Sequence, residues 1–202
     1  MAIFASSAVR LLIGFTVALS FIAFFTPSSA VSSVSSLALS YTMPVALRQL
    51  EVAISQLEKD PPTIQVTVAN KNDSPVTILT YGSPLDPLAI QLGMLYITPK
   101  GESKPLEILQ IEAQRLWPPA EDALVEVAPG KTATYELTLQ EPVVPMDRVF
   151  EGARVQLKGS WSAVWTREKR DVDYQSLEEA GSFGNDTLTG PFQSNALDIE
   201  VA

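Results

Sequence analysis

The chain has 202 residues, 46% of them hydrophobic and 18% charged, with a formal net charge of −9. That is enough apolar material for one domain with its own core plus appendages, and the acidic balance argues against a nucleic-acid partner or an anionic lipid surface. Cysteine and histidine are both absent, which excludes disulfides, thiolate nucleophiles, Ser-His-Asp triads and the zinc sites those residues build.

Arg10 precedes an uncharged apolar run, "LLIGFTVALSFIAFF", and then "TPSSA", where Pro27 breaks a helix and Ser28, Ser29 and Ala30 are small. A basic start, a short apolar stretch and a small-residue end predict a secretory signal peptide over residues 1–30, cleaved near Ala30. The product is expected to be extracellular, with no membrane association after cleavage. The alternative is an uncleaved membrane anchor extended through "AIFASSAV", with Arg10 interrupting it. Cleavage removes Arg10 and leaves 13 basic residues against 23 acidic ones. Residues 31–47 are serine-rich and uncharged, a flexible lead, so the folded domain is expected over 48–202.

From Leu50 the pattern is that of strands. Leu50, Val52 and Ile54 alternate with polar or small residues, and so do Ile64, Val66 and Val68; "EKDPP" separates the two runs. "NKNDSP" is a turn, and "VTILTY" a third strand. "QLGMLYITP" predicts another, and "PLEILQIEAQRL" a strand with a bulge, or else a short helix. In "ALVEVAPGKTATYELTL" the Pro129-Gly130 turn divides two more. The strongest strand is "ARVQLKGSWSAVWT": Val155, Leu157, Trp161, Ala163 and Trp165 share one face, with Gly159 interrupting. Two tryptophans on that face predict a core, the alternative being an exposed platform for stacking sugars. Residues 167–194 read as a long surface excursion with one helical turn around Tyr174 to Glu179, and "NALDIEV" as the final strand. About seven to nine short strands with frequent turns predict an all-β, immunoglobulin-like antiparallel β-sandwich.

No motif for catalysis, cofactor binding or metal ligation emerges. The acidic pairs Glu121-Asp122, Asp171 with Asp173, and Glu178-Glu179 sit in polar stretches where carboxylates stay solvated. Asp171 and Asp173 begin a calcium-loop spacing but lack its glycine and distal glutamate. "REKR", residues 167–170, reads as local charge pairing, with Lys169-Arg170 a dibasic processing signal in the alternative. Asn72-Asp-Ser and Asn185-Asp-Thr are N-glycosylation sequons. The interaction candidates are Tyr81, Pro84, Leu85 and Asp86, in a loop dense with Gly82, Pro84 and Pro87. Each constraint there also has a backbone reason: glycine permits the turn, proline presets φ, and an aspartate can cap its own turn.

The stretch "VTVANKNDSPVTILTYGSPLD" resembles the first hairpin of the non-catalytic N-terminal β-sandwich of fungal deuterolysin and peptidyl-Lys metalloendopeptidase-type proteins. The matching residues are Val66, Val68, Asn70, Val76, Leu79, Tyr81, Gly82, Pro84, Leu85 and Asp86, with a looser echo in "VAPGKTATYELTL". The resemblance implies a stand-alone sandwich module of fungal origin and pro-domain ancestry. It does not imply proteolysis, since a chain without histidine has no zinc-binding helix. The expectation is a secreted, non-enzymatic protein without cofactors that acts on a protein or cell-wall partner. Two alternatives stand beside it: a carbohydrate-binding or hydrolytic module using surface Trp/Tyr and carboxylates, and a folding aid or inhibitor of a secreted metalloprotease.

Overall fold

Period-two alternation becomes two buried strand faces at the start of the computed structural model, which describes residues 43–173 and 186–202. Strands β1 (Leu50–Lys59) and β2 (Pro62–Asn70) form a hairpin whose register runs from Lys59↔Pro62 to Leu50↔Asn70. Pro62 opens β2, the strand position that best tolerates a residue with no N–H to donate. Ile64, Val66 and Val68 point inward and are fully buried. Strands β3 (Val76–Leu79), β4 (Leu95–Pro99), β5 (Leu124–Val127), β6 (Thr132–Thr138), β7 (Ala153–Trp165) and β8 (Leu188–Ile199) complete the set among the described residues.

These strands make two antiparallel sheets. One has the order β1-β2-β6; the other runs β4-β7-β3-β5, with β8 also paired to β7. β7 organises the second sheet: its first half pairs with β4, Val164 and Trp165 pair with β3, and β8 pairs along it. As the odd positions predict, Val155, Leu157, Trp161, Ala163 and Trp165 are buried. Gly159 interrupts them for a reason of space, because a Cβ there would lie 2.7 Å from the Phe192 ring. The Phe192 ring in turn packs 5.2 Å from Trp161, centre to centre. The fold is the predicted antiparallel β-sandwich, with eight strands among the described residues.

The chain changes sheets where the sequence suggested hairpins. β2 and β3 lie in different sheets, as do β5 and β6, so the turns at residues 71–75 and 128–131 are corners. Asn70 holds both corners together. It is fully buried, and its Nδ2 donates to the carbonyls of Ser74 (2.9 Å) and Val127 (2.8 Å). Its Oδ1 accepts from the Asn72 backbone N–H, while its main chain bonds Gly130 and Lys131.

Other expectations are corrected. Residues 105–116 are neither strand nor helix. Leu106 and Ile108 are half-buried, but Leu109 is 88% exposed and Leu116 73%; the segment is anchored by Leu106 N–H to the Ile97 carbonyl and Ile111 N–H to the Gln91 carbonyl. β8 begins at Leu188, earlier than "NALDIEV" suggested, and carries Pro191 within it. Pro44–Ala202 is one compact unit, and Leu47, in the helical turn α1 (Val45–Arg48), is buried. The expected helical turn around Tyr174 to Glu179, and the segments 1–30 and 31–42, lie outside the described residues.

The two flanks of the sandwich differ. At one flank β1 and β8 are joined through side-chain amides. Asn195 accepts from the Ile54 N–H (2.8 Å) and donates to the Ile54 carbonyl (3.1 Å). Gln56 reciprocates, donating to the Glu200 carbonyl (2.6 Å) and accepting from its N–H (3.0 Å). Each amide presents a strand with the donor and acceptor a neighbouring backbone would offer. At the other flank lie β5 and β6, and the outer edge of β6 is unpaired among the described residues.

Candidate functional site: a corner loop and the cleft beside it

The loop after β3 is built around Asp86, whose side chain is fully buried. Gly82, with φ of +66°, turns the chain so that its N–H reaches Asp86 Oδ2 at 2.6 Å. A Cβ at Gly82 would lie 2.5 Å from Ser162 Oγ, so both conformation and space select glycine. The Leu88 N–H donates to Asp86 Oδ1 (2.9 Å), and Arg115 Nη2 donates to both carboxylate oxygens at 2.8 and 2.7 Å. Ser83 completes the turn by donating to the Thr80 carbonyl and accepting from the Leu85 N–H. A buried carboxylate survives only with such a full complement of donors.

Of the interaction candidates, Pro84, Leu85 and Asp86 are buried, and Asp86 makes its bonds inside the loop. Tyr81 is half-buried. It packs against the cluster of Leu79, Ala123, Leu124, Ala163, Trp165 and Val172, while the Arg115 guanidinium lies 4.7 Å from its ring centre. Arg115 is the residue that sequence reasoning missed. It stands 29 positions from Asp86 with no local pattern to join them; the only available signal was that a buried aspartate needs a cation.

Beside the loop is a cleft of about 390 Å³ lined by Thr80, Tyr81, Leu85, Pro87, Asp122, Ala123, Val125, Thr134 and Tyr135. It brings the corner loop, β5 and the open strand β6 together. Tyr135 is only half-buried because β6 is an edge strand. Among the described lining residues Asp122 alone is charged, and among the described residues neither Asp122 nor Glu136 on β6 has a charge partner.

A second depression, of about 440 Å³, lies where β4, β7 and β8 end, and holds Glu102, Glu151, Arg154, Asp198 and Glu200. Its charges are largely paired: Arg154 clamps Asp198 with two 2.8 Å bonds, Arg148 donates to Glu102, and Lys59 pairs with Glu200. Hydrogen bonding to Arg154 holds the Asp198 carboxyl below its ordinary range, and hydrogen bonding to Lys59 does the same for Glu200.

Trp161 and Trp165 are 1% and 2% exposed, so neither indole offers a stacking platform, and the carbohydrate reading that relied on them is removed. Glu121 and Asp122 sit in an exposed turn, Glu121–Ala123. Lys169 and Arg170 lie in the turn Lys169–Asp171, where Lys169 N–H donates to Glu126 and Arg170 pairs with Glu168. Among the described residues no group of three or more acidic side chains could hold a metal. The Asn72 amide donates to Asn70 Oδ1 (2.9 Å) and to the Ala46 carbonyl (3.1 Å), whereas Asn185, Glu178 and Glu179 lie outside the described residues.

Comparison with known proteins places this geometry. Residues 49–201 match the family model of an immunoglobulin-like domain. An "Uncharacterized secreted protein" of Arthroderma benhamiae is 30% identical over 167 residues, which span 77% of this chain and 80% of that protein.

Proposed function

The chain belongs to the immunoglobulin-like domain family, and from that premise we propose that it is a secreted, non-enzymatic β-sandwich acting by contact with a protein or cell-surface partner. The observation that carries the reading is the likeness to a secreted protein along four-fifths of that protein's length, joined to the signal-peptide pattern of residues 1–30. Among the described residues no helix is long and apolar enough to cross a membrane. The burial of both β7 indoles and the engagement of Asp86 within its own loop support surface contact as the use of the fold. N-terminal sequencing of protein from culture medium tests this. A first residue at or near Val31 is expected, and an intact Met1 on a membrane-bound product overturns the reading.

We further propose a pro-domain ancestry, supported by the likeness of residues 66–86 to the deuterolysin-type sandwich. Those residues span the end of β2, the Asn70 corner, β3 and the Asp86 loop, which together are a structural unit and not merely a string of strand formers. A pull-down from culture medium with a deuterolysin-type protease as bait is expected to enrich the protein. No enrichment sinks the protease connection and leaves the secreted, contact-based reading untouched.

A further inference from the structure

Among the sheet edges, most are already used. β1 and β8 are tied to each other by Asn195 and Gln56. The edge of β4 is crossed by the chain that places the Leu106 N–H on the Ile97 carbonyl. The four-residue β5 pairs with β3 alone, and the longer β6 is paired to β2 on one side and to nothing on the other among the described residues. Its seven residues offer an unpaired row of backbone donors and acceptors roughly 23 Å long at the usual rise per residue. Thr132, Thr134 and Glu136 are exposed along it, and Thr134 and Tyr135 form one wall of the 390 Å³ cleft.

Charge marks the same place. At the ends of β4, β7 and β8, Glu102, Asp198 and Glu200 have basic partners in Arg148, Arg154 and Lys59, and Glu151 has none among the described residues. Asp122, in the cleft, and Glu136, on the free strand, have none among the described residues. Unpaired carboxylates on a chain of net charge −9 attract cations and repel anions. Tyr81, Tyr135, Leu85 and Pro87 meanwhile give the cleft an aromatic and apolar floor, which suits an aliphatic stem beneath a charged head.

We propose that β6 and the Tyr81–Tyr135 cleft together receive an extended, basic peptide segment of a partner protein. The segment's backbone adds to the edge of β6 as a further strand. Lysine or arginine side chains on one face of the segment lie in the cleft against Asp122, and Glu136, on the outer face of β6, adds a longer-range attraction. This rests on the contact-based function proposed above and names its surface and the chemistry of its partner.

The test uses ¹⁵N-labelled protein from culture medium and two dye-labelled heptapeptides, one alternating Lys with Val and one alternating Glu with Val. The lysine peptide is expected to bind saturably and to shift the amides of Thr132–Thr138. The glutamate peptide is expected to bind at least roughly tenfold more weakly. Tyr135→Ala, and separately the pair Asp122→Asn with Glu136→Gln, are expected to weaken the lysine peptide by roughly tenfold. The pair Glu51→Gln with Glu58→Gln on β1 makes the same change of net charge away from the cleft, and should leave affinity within about twofold. Circular dichroism and amide dispersion confirm that each variant is folded. Absence of saturable binding, shifts centred elsewhere, or equal weakening by the β1 pair would each overturn the proposal. A protein that is secreted yet binds neither peptide defeats the cleft alone, whereas retention on the membrane with an intact Met1 defeats the function on which it rests.

Discussion

The two flanks of this sandwich solve the same problem differently. Where β1 meets β8, two side-chain amides, Asn195 and Gln56, supply the hydrogen bonds a neighbouring strand would have made. Where β5 meets β6, no such bridge exists among the described residues, and the space is occupied by a corner loop rigidified around Asp86. The first flank protects its edges by satisfying them, whereas the second holds its loop firm and leaves an edge available. An open edge is an aggregation hazard unless it is charged or used, which makes Glu136 and the cleft the informative part of the molecule.

The sharpest way to break this contrast is Asp86→Ala, which leaves Arg115 and the Gly82 and Leu88 N–H groups without their acceptor. A loss of about 3–5 kcal/mol is expected in urea unfolding, and a loss well under 1 kcal/mol would show that the loop does not depend on its buried pair. Arg115→Ala keeps the two backbone donors on Asp86 and is expected to cost roughly 1.5–3 kcal/mol. Because it also uncovers Tyr81, near-ultraviolet circular dichroism should change with it.

On the opposite flank, Asn195→Ala orphans the Ile54 N–H and carbonyl together. A loss of about 1–2 kcal/mol is expected, together with faster hydrogen exchange at the Ile54 amide. Unchanged exchange there would mean that the bridge is ornamental. Gln56→Ala touches an exposed pair of bonds and should cost no more than about 0.5 kcal/mol.

The smallest effect is on acid sensitivity. Asp198 and Glu200 titrate below their ordinary ranges in the folded chain because Arg154 and Lys59 hydrogen-bond their charged forms. A depressed folded-state pKa contributes stability above the unfolded-state value, and that contribution is lost as pH falls through the folded-state value. The wild type should therefore lose melting temperature slightly faster on acidification than the double variant Asp198→Asn, Glu200→Gln. Both groups are exposed, so the difference should shrink further in salt. Equal slopes in low salt would remove the two pairs from the stability of this flank.

What was legible in the sequence was what alternation encodes. β1, β2 and β7 announced themselves because one face of each is buried and the other is not. Residues 105–116 carry apolar residues in mixed phase, and among the described residues no strand pairs with them, leaving Leu109 and Leu116 exposed, so local hydrophobicity predicted an element that tertiary structure does not supply. The first half of β8 was hidden by Gly190 and Pro191, breakers tolerated because, among the described residues, β8 has only β7 as a backbone neighbour. In the candidate site, Gly82 and Asp86 were visible as turn chemistry. Arg115 and the half-open Tyr135 were not, because a partner 29 residues away and an unpaired edge are properties of topology. The same holds for the corners: composition marks a turn but does not say whether the next strand returns to the same sheet.

The central position of β7 governs the order in which this protein can acquire its structure. β1 and β2 are neighbours in the chain and can pair as soon as both exist, but β3 and β4 find their β7 partners only after a long intervening stretch of chain. The closed flank comes later still, since Ile54 and Asn195 are 141 residues apart. Closing such loops costs entropy before any contact repays it, so folding is expected to be slow and to complete only once β7 and β8 are both present. Until then a nascent chain exposes the apolar faces of β2 and β3. Ala-scanning kinetics should accordingly find β7 structured in the transition state and the Asn195 bridge formed only on its native side.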